Sequence, residues 1–100
     1  MENPSVQLIE AASKAMAYLG AESAPDAMMS LTLAGDELII INHTEVQPDF
    51  RGKGLGQVLL AFVVDLARER GCEILALCPY ARKLFQRNPE FKDVLRGAES

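Results

Sequence analysis

The feature that most constrains this fold is an amphipathic segment of helical period that stands between two apolar runs. Within residues 55–67, apolar side chains recur every three or four positions, which is typical of a helix with one buried face. Gly71 follows where such a helix would end. The segments 38–46 and 73–77, on either side, contain short apolar runs at residues 38–41 and 74–77, as buried strands do. The order strand, helix, strand predicts a right-handed crossover that joins two parallel strands of one sheet.

The hairpin predicted before this crossover ends in the strand that enters a glycine-rich loop. Residues 28–33 and 37–41 flank Ala34-Gly35-Asp36, and a Gly-X pair favours a tight type II′ turn. The second arm continues as far as Val46. Because Ile39-Ile40-Ile41 is apolar on both faces, we expect this strand to be central in the sheet and covered on both sides.

A second helix is predicted after the crossover. Pro79 suits its first turn, Asn88-Pro89 ends it, and residues 90–95 form one more turn. Three of the four phenylalanines are assigned to the core: Phe62, Phe85 and Phe91.

Residues before position 26 give the weakest pattern. Residues 8–19 are compatible with one short helix, since Ala and Leu favour it, but residues 16–19 are also compatible with a strand. Residues 22–26 have the composition of a turn or loop.

The composition fits one packed domain, residues 1–100, with 49% apolar and 24% charged residues. The net charge of −4 argues against a nucleic-acid partner, which would require clustered Lys and Arg, and suits a cationic amine. The densest apolar stretch, residues 58–67, contains Asp65 and is shorter than the ~20 residues of a membrane span. The first residues lack the pattern of a signal peptide, so we expect a cytoplasmic protein.

The two cysteines, Cys72 and Cys78, are expected to be reduced thiols. If the residues between them form a strand, their Cα atoms lie ~20 Å apart at ~3.3 Å per residue, which is too far for a disulfide. The sequence has one histidine and no pair of Cys or His at ligand spacing, so we expect no metal site.

The loop Arg51-Gly-Lys-Gly-Leu-Gly56 has the form of an anion cradle. Its glycines let consecutive backbone N–H groups point at one anion, the helix start adds partial positive charge, and Arg51 and Lys53 add full charges. A pyrophosphate suits such a cradle. A Walker loop is excluded because the lysine precedes the last two glycines, and the dinucleotide fingerprint because Gln57 or Leu59 replaces its third glycine. The alternative is a glycine loop that only caps the helix.

The segment Val46-x-Pro48-x-x-Arg51-Gly-Lys-Gly-Leu-Gly56 resembles the acetyl-CoA loop of the GNAT superfamily of N-acetyltransferases, in which Arg or Gln precedes x-x-G-x-G or x-x-G-x-A. His43-Thr-Glu-Val46, Cys78-Pro-Tyr80 and Pro89-Glu-Phe91 resemble a small single-domain branch of that superfamily. The resemblance extends from about residue 36 to residue 94. It implies an α/β fold, a mixed central sheet with a strand-helix-strand-helix C-terminal half. It also implies opening strands at residues 16–19 and 28–33, which favours the strand interpretation over the helix.

The resemblance further implies acetyl-CoA as co-substrate. Backbone amides from Gly52 to Gly56 would hold its pyrophosphate, and the backbone near Val46 would pair with its pantetheine arm like an added strand. The residues assigned to the cofactor are Val46, Arg51, Gly52, Lys53, Gly54, Leu55 and Gly56. The second helix also has a basic face that is either solvated or within reach of the cofactor's phosphates: Arg82, Lys83 and Arg87.

Acetyl transfer requires a base for the amine, polarisation of the thioester carbonyl and a proton for the departing thiolate. His43 and Glu45 are two residues apart on one strand, so they share a face. Either side chain is a candidate base, directly or through water. The alternative is that neither has a chemical role, His43 being packed or exposed and Glu45 solvated.

Cys78 and Tyr80 are the remaining catalytic candidates. Cys78 follows a buried strand and precedes a helix start, which favours a thiolate that could carry an acetyl group; a small buried apolar role is the alternative. In the resembling branch the Cys-Pro-Tyr element lies beside the thioester. GNAT enzymes often use a tyrosine on the last helix to protonate the leaving thiolate, and the comparable position here is Phe85. That role then falls to Tyr80, Cys78 or water, unless Tyr80 only packs against the sheet.

Two functions remain open. The first is an acetyl-CoA-dependent N-acetyltransferase acting on a primary amine, either a small molecule such as a polyamine or an exposed protein lysine. The second is an acetyl-CoA-binding module or partner subunit without efficient catalysis, which Phe85 and the short chain favour. A nucleotide-binding domain without coenzyme A is a remoter third function, and the failed loop patterns count against it.

Overall fold

The computed structural model describes residues 6–96, in which five strands form one sheet in the order of the chain. The strands are β1 (Gln7–Ala11), β2 (Lys14–Ala21), β3 (Ala24–Ala34), β4 (Leu38–Val46) and β5 (Glu73–Ala76). Strands β1 to β4 pair antiparallel, and β5 pairs parallel with β4. The predicted mixed sheet and its parallel pair are therefore confirmed.

Two helices and two short 3₁₀ turns complete the described chain. Helix α1 spans Leu55–Arg70, helix α2 spans Pro79–Arg87, and the 3₁₀ turns are Pro48–Phe50 and Pro89–Val94. Gly71 has a left-handed φ of 69° and caps the end of α1. The strand-helix-strand-helix order predicted for the C-terminal half is confirmed.

The N-terminal third differs most from the sequence-based prediction. Residues 8–19 do not form a helix, because β1 and β2 make a hairpin there, and the predicted strand at residues 16–19 is the middle of β2. Strand β1 has no counterpart in the prediction. Its turn contains Ala12 with a φ of 57°, a conformation that residues with a Cβ rarely adopt. The next turn is shorter than the predicted residues 22–26, because only Glu22 and Ser23 lie outside the strands.

Two boundaries in the C-terminal part also differ from the prediction. The β3–β4 turn contains three residues, 35–37, instead of a two-residue type II′ turn, and Gly35 in it has a φ of 70°. Strand β5 ends at Ala76, one residue early, so Leu77 lies outside the sheet and is 49% exposed.

The hydrophobic core lies between α1, α2 and one face of the sheet. Alternate residues of β2 to β5 are buried against the two helices. The largest contributions from the helices come from Leu59, Leu60, Val63, Val64 and Phe85. Phe85 is 1% exposed, as the core assignment predicts, and Phe62 and Phe91 are half-buried against the same cluster.

The opposite face of the sheet carries no helix among residues 6–96. Met16, Met28, Ile40 and Leu75 are half-buried there and do not pack against the core cluster. The prediction that β4 is covered on both sides is therefore wrong. Strand β4 is central, since it lies between β3 and β5, but Ile40 in it is only half-buried.

Candidate functional site

The candidate site lies where β4 and β5 separate. Strand β5 pairs with β4 only along residues 38–41, and the carbonyl oxygen of Ile41 then accepts hydrogen bonds from the N–H groups of Leu77 and Cys78 at 3.1 and 3.3 Å. Strand β4 runs on to Val46, whereas the chain after β5 turns into α2. In the described part of the chain, residues 42–46 have no strand partner on this side. An extended ligand can pair with a free edge of this kind.

A β-bulge in β4 coincides with this separation. Ser30 of β3 pairs with His43, whereas the next residue, Leu31, pairs with Ile41, so Asn42 is the extra residue. A bulge bends its strand and increases the local twist. The bend therefore lies at the point where β5 leaves β4.

The bulge also sets which side chains of β4 face the core. Ile41 is buried before it, and Thr44 and Val46 are buried after it, so the inward positions change from odd to even residue numbers. His43 and Glu45 are exposed and lie on the face of the sheet that no described helix covers. Their shared face agrees with their spacing in the sequence.

The glycine-rich loop presents free backbone amides at the start of α1. Gly52 and Gly54 have left-handed φ values of 80° and 78°, so both positions favour glycine for conformational reasons. A Cβ at either residue would meet no atom within 4 Å, so the space beside them is open. Gly54 is the N-cap of α1, and no side chain among residues 6–96 caps the first turn. The first N–H groups of the helix are therefore left for an anion.

Arg51 holds this loop against the end of β4. Its Nε donates a hydrogen bond to the carbonyl oxygen of Val46 at 3.1 Å. The second cation of the loop, Lys53, is exposed. The loop therefore combines amides, one fixed guanidinium and one solvated ammonium at the same end of the site.

A cavity of about 530 Å³ connects the loop with β4. Its lining consists of His43, Thr44, Glu45, Val46, Phe50, Arg51, Gly52, Gly54, Leu55 and Tyr80. Most residues assigned from the sequence are thus brought together, but Lys53, Gly56 and Cys78 are not part of the lining. Thr44 and Phe50 line the cavity although the sequence analysis gave them no role.

A cavity of similar size, about 570 Å³, lies at the other end of the sheet, beside Ser13, Asp36 and Cys72. None of the residues assigned from the sequence lines it. It has no glycine-rich loop or uncapped helix start, so the smaller cavity is the candidate site.

His43 and Glu45 form only a loose pair. The His43 Nε2 and Glu45 Oε2 atoms are 4.0 Å apart, and the two side chains are 60% and 61% exposed. An exposed pair of this kind contributes little to stability. Both groups are therefore available to a ligand or to water in the cavity.

Cys78 is placed differently from the other catalytic candidates. It is 6% exposed, and its Sγ lies 3.5 Å from Thr44 Oγ1, to which the thiol donates. Because Thr44 lines the cavity and Cys78 does not, the thiol lies behind the wall of the site. This placement favours the small buried role over the covalent one.

Tyr80 packs against the start of α1. It is 40% exposed and lines the cavity. A Cβ built on Gly56 would lie 2.8 Å from Tyr80 Cζ and closer still to the hydroxyl oxygen. Gly56, unlike Gly52 and Gly54, does not have a positive φ, so glycine is needed at this position to make room for the Tyr80 ring. The sequence alone gave no sign of this contact.

Two ion pairs away from the site tie other elements to the end of α1. Arg70 donates to both carboxylate oxygens of Glu10 at 2.9 Å, and this hydrogen bond lowers the pKa of Glu10 below its usual value. Arg68 bonds Asp93 in the same way and lowers the pKa of that carboxyl. These pairs fix β1 and the C-terminal 3₁₀ turn relative to the core.

Residues 6–96 lack two further features. These residues contain no helix that is both long and apolar enough to span a membrane. They also contain no group of three or more metal-ligating side chains that could hold an ion.

Comparisons with known proteins agree on one family. The sequence model described as GCN5-related N-acetyl-transferase matches residues 15–94. Streptothricin acetyltransferase from Streptomyces lavendulae is 47% identical over 38 residues, which are 38% of this chain and 20% of that protein. The chain thus spans about a fifth of this curated relative.

Solved structures with similar folds include two relatives. The solution structure of a GCN5-like protein from Staphylococcus aureus has a TM-score of 0.75 and 31% identity, covering 99% of this chain and 94% of that one. The ribosomal-protein-alanine N-acetyltransferase from Brucella melitensis has a TM-score of 0.64 and 18% identity, covering 88% of this chain and 65% of that one. The fold implied by the sequence resemblance is therefore confirmed.

Proposed function

Because this chain belongs to the GCN5-related N-acetyltransferase family, we propose that it transfers the acetyl group of acetyl-CoA to a primary amine. The observation that carries this proposal is the cavity that joins the uncapped start of α1 to the side chains of His43 and Glu45. One end of this cavity suits an anionic cofactor. The other end carries groups that can accept a proton from an amine.

The cofactor end fits a pyrophosphate and an extended arm. Amides of residues 52–56 and the open space beside Gly52 and Gly54 suit the two phosphates, and Arg51 and Lys53 add positive charge. The unpaired backbone of residues 42–46 suits the pantetheine arm as an added strand. Bound acetyl-CoA supplies the activated acetyl group, and the loop and the strand hold it in place.

The transfer itself needs two proton movements. The lone pair of the neutral amine attacks the thioester carbon, so the N–C bond forms as the C–S bond breaks. The amine proton passes to Glu45 or His43, directly or through water, since both side chains are solvent-accessible. The Tyr80 hydroxyl, which lies beside the first turn of α1 at Gly56, would donate a proton to the departing thiolate.

Direct attack is favoured over an acetyl-cysteine intermediate. Cys78 is 6% exposed and is absent from the lining of the cavity, so a thioester there would have no open path to its sulfur. Thr44, whose hydroxyl accepts a hydrogen bond from this thiol, lies between the Cys78 sulfur and the cavity.

The acceptor in this proposal is an amine that is protonated in solution and loses that proton to water before its lone pair attacks. The net charge of the chain is −4, and Glu45 stands exposed at the acceptor end. A small polyamine and a protein lysine share this chemistry. Because His43 and Glu45 lie on the uncovered face of the sheet, the acceptor end is open enough for either.

A binding module without efficient catalysis is the second candidate function. Phe85, at the position where related enzymes often have a tyrosine, is 1% exposed and lies in the core, so it cannot donate a proton. If Tyr80 does not supply that proton, the site would bind acetyl-CoA and turn it over slowly.

The first test is thermal unfolding with and without saturating acetyl-CoA, with ATP and NAD as controls. Ligand at 100 times its Kd stabilises the fold by about 2.7 kcal/mol, which is a readable shift for a domain of this size. Gly54→Leu should abolish the shift. Gly35→Leu is the matched control, since Gly35 has a similar φ of 70° and equally open surroundings but lies in the β3–β4 turn.

The outcomes separate the two candidates. A shift with acetyl-CoA that Gly54→Leu alone removes, followed by acetylation of spermidine or of a lysine peptide, would support the transferase. The same shift without transfer to any amine would support the binding module. No shift at millimolar acetyl-CoA would refute both.

A further inference from the structure

A smaller cavity lies next to the candidate site on the surface of α2. Its volume is about 400 Å³, and it is lined by Pro79, Tyr80, Lys83, Leu84 and Arg87. Tyr80 also lines the 530 Å³ cavity, so the two cavities are neighbours. The surface is therefore continuous from the glycine-rich loop to α2.

Two cations in this second cavity have no acidic partner in the described part of the chain. Lys83 and Arg87 are exposed and one helical turn apart, so they share a face of α2. Among residues 6–96, neither has a carboxylate within 4.0 Å, whereas Arg68, Arg70 and Arg96 are each ion-paired. Like charges at this spacing repel each other. An anion that contacts both would relieve the repulsion.

We propose that Lys83 and Arg87 bind the 3′-phosphate of coenzyme A, so that the site selects coenzyme A over dephospho-coenzyme A. This inference rests on the proposed function, in which the amides of the glycine-rich loop hold the pyrophosphate. The 3′-phosphate belongs to the ribose attached to that pyrophosphate, so only a few bonds separate the two anionic groups. A cationic cavity beside the loop is in the right place for it.

The distances along α2 agree with this assignment. The Tyr80 ring touches the first turn of α1 at Gly56. Lys83 follows Tyr80 by three residues, which is ~4.5 Å along the helix axis, and Arg87 lies one turn further. A guanidinium can bond two phosphate oxygens at once, and an ammonium adds a mobile point charge. The pair thus suits a phosphate monoester.

The test compares the Kd of coenzyme A with that of dephospho-coenzyme A by calorimetry at low salt. The variant is Lys83→Gln/Arg87→Gln. The control, Lys14→Gln/Lys92→Gln, removes the same charge from β2 and from the C-terminal 3₁₀ turn, outside both cavities. Thermal unfolding without ligand checks that both double variants keep the fold.

We expect the unmodified protein to prefer coenzyme A by about tenfold, the effect of a charge-assisted phosphate contact. The preference should approach unity in the Lys83/Arg87 variant, persist in the control, and weaken at high salt because both side chains are exposed. Equal affinities in the unmodified protein, a preference that survives in the variant, or an equal loss in the control would overturn the inference and leave the proposed function intact. Failure of both ligands to bind would overturn the proposed function, and this inference with it.

Discussion

The contact between Gly56 and Tyr80 can be measured as a coupling between two substitutions. Gly56→Ala adds a Cβ that would lie 2.8 Å from Tyr80 Cζ, which is closer than Cβ contacts occur in proteins. The ring must then move or the helix start must shift. In the Tyr80→Ala background the same Cβ meets no ring. Gly56→Ala should therefore be less favourable when the Tyr80 ring is present than when it is absent.

The expected size follows from two opposing effects. Replacing glycine by alanine in a helix stabilises it by up to ~1 kcal/mol. Crowding in a packed site costs ~1–3 kcal/mol. Tyr80 is 40% exposed and can turn outward, so we expect a crowding cost near its lower limit. That cost roughly cancels the helix gain when the ring is present, and the gain remains when the ring is absent. The coupling energy should be ~1 kcal/mol or more, which corresponds to roughly 4–8 °C in Tm for a domain of this size.

The assay is urea unfolding of the two single variants and the double variant, with acetyl-transfer kinetics on Gly56→Ala. The control pair is Gly71→Ala with Tyr80→Ala, because Gly71 has open surroundings at the far end of α1 and should act additively. We also expect Gly56→Ala to lower kcat, since the displaced hydroxyl can no longer protonate the thiolate. Additive stabilities within ~0.5 kcal/mol together with an unchanged kcat would refute this account of Gly56.

Three further substitutions test other contacts. Arg51→Lys keeps the charge but loses the Nε donor to Val46, so acetyl-CoA affinity should fall severalfold while stability changes by less than about 1 kcal/mol; unchanged affinity in calorimetry would contradict this. Cys78→Ala should lower stability by about 1 kcal/mol and leave kcat intact, and a large drop in kcat would restore the covalent route. Glu10→Gln should make the free energy of unfolding depend less steeply on pH at acid pH. The hydrogen bond from Arg70 lowers the pKa of Glu10 below 4.5, so its stabilisation is present above that pH and is lost as the pH falls through the lowered pKa. Urea unfolding from about pH 5 to pH 3 checks it: a variant as steep as the unmodified protein would contradict this reasoning.

The C-terminal half could be predicted because its signals are local. The period of residues 55–67 marks α1, and Gly71 and Pro79 mark its end and the start of α2. These features act within a few residues, so one sequence is enough to detect them. The glycine-rich loop was recognisable for the same reason.

The N-terminal hairpin was harder to predict because its pairing is not local. Residues 7–21 contain Ala, Leu, Glu and Lys, which favour helices, but they form strands in which β1 pairs with β2 and β2 pairs with β3. Ala12 adopts a φ of 57° in the turn, but alanine is not a residue type from which a turn is predicted. Tertiary pairing thus overrides local preference in this part of the chain.

Contacts between side chains of different elements could also not be predicted from the sequence. Gly56 looks like a third loop glycine, but its requirement comes from Tyr80, which is 24 positions later in the chain. Cys78 is separated from the cavity by Thr44. The side chain of Thr44 faces inward because of the bulge in β4. A hint of the bulge was present, since Ile39 and Ile41 have odd numbers whereas the next apolar residue of the strand, Val46, has an even one.

The extra residue at Asn42 acts on β4 as an insertion acts on a reading frame. If β4 had no bulge and kept its present sequence, the alternation that buries Ile41 would also bury His43 and Glu45 beneath α1. The same alternation would turn Val46 outward. Deleting Asn42 would keep each of these side chains on its present face while straightening the strand. Orientation and curvature of the site wall can therefore be changed independently, and a one-residue deletion would separate the chemistry of the side chains from the bend that opens the sheet beside them.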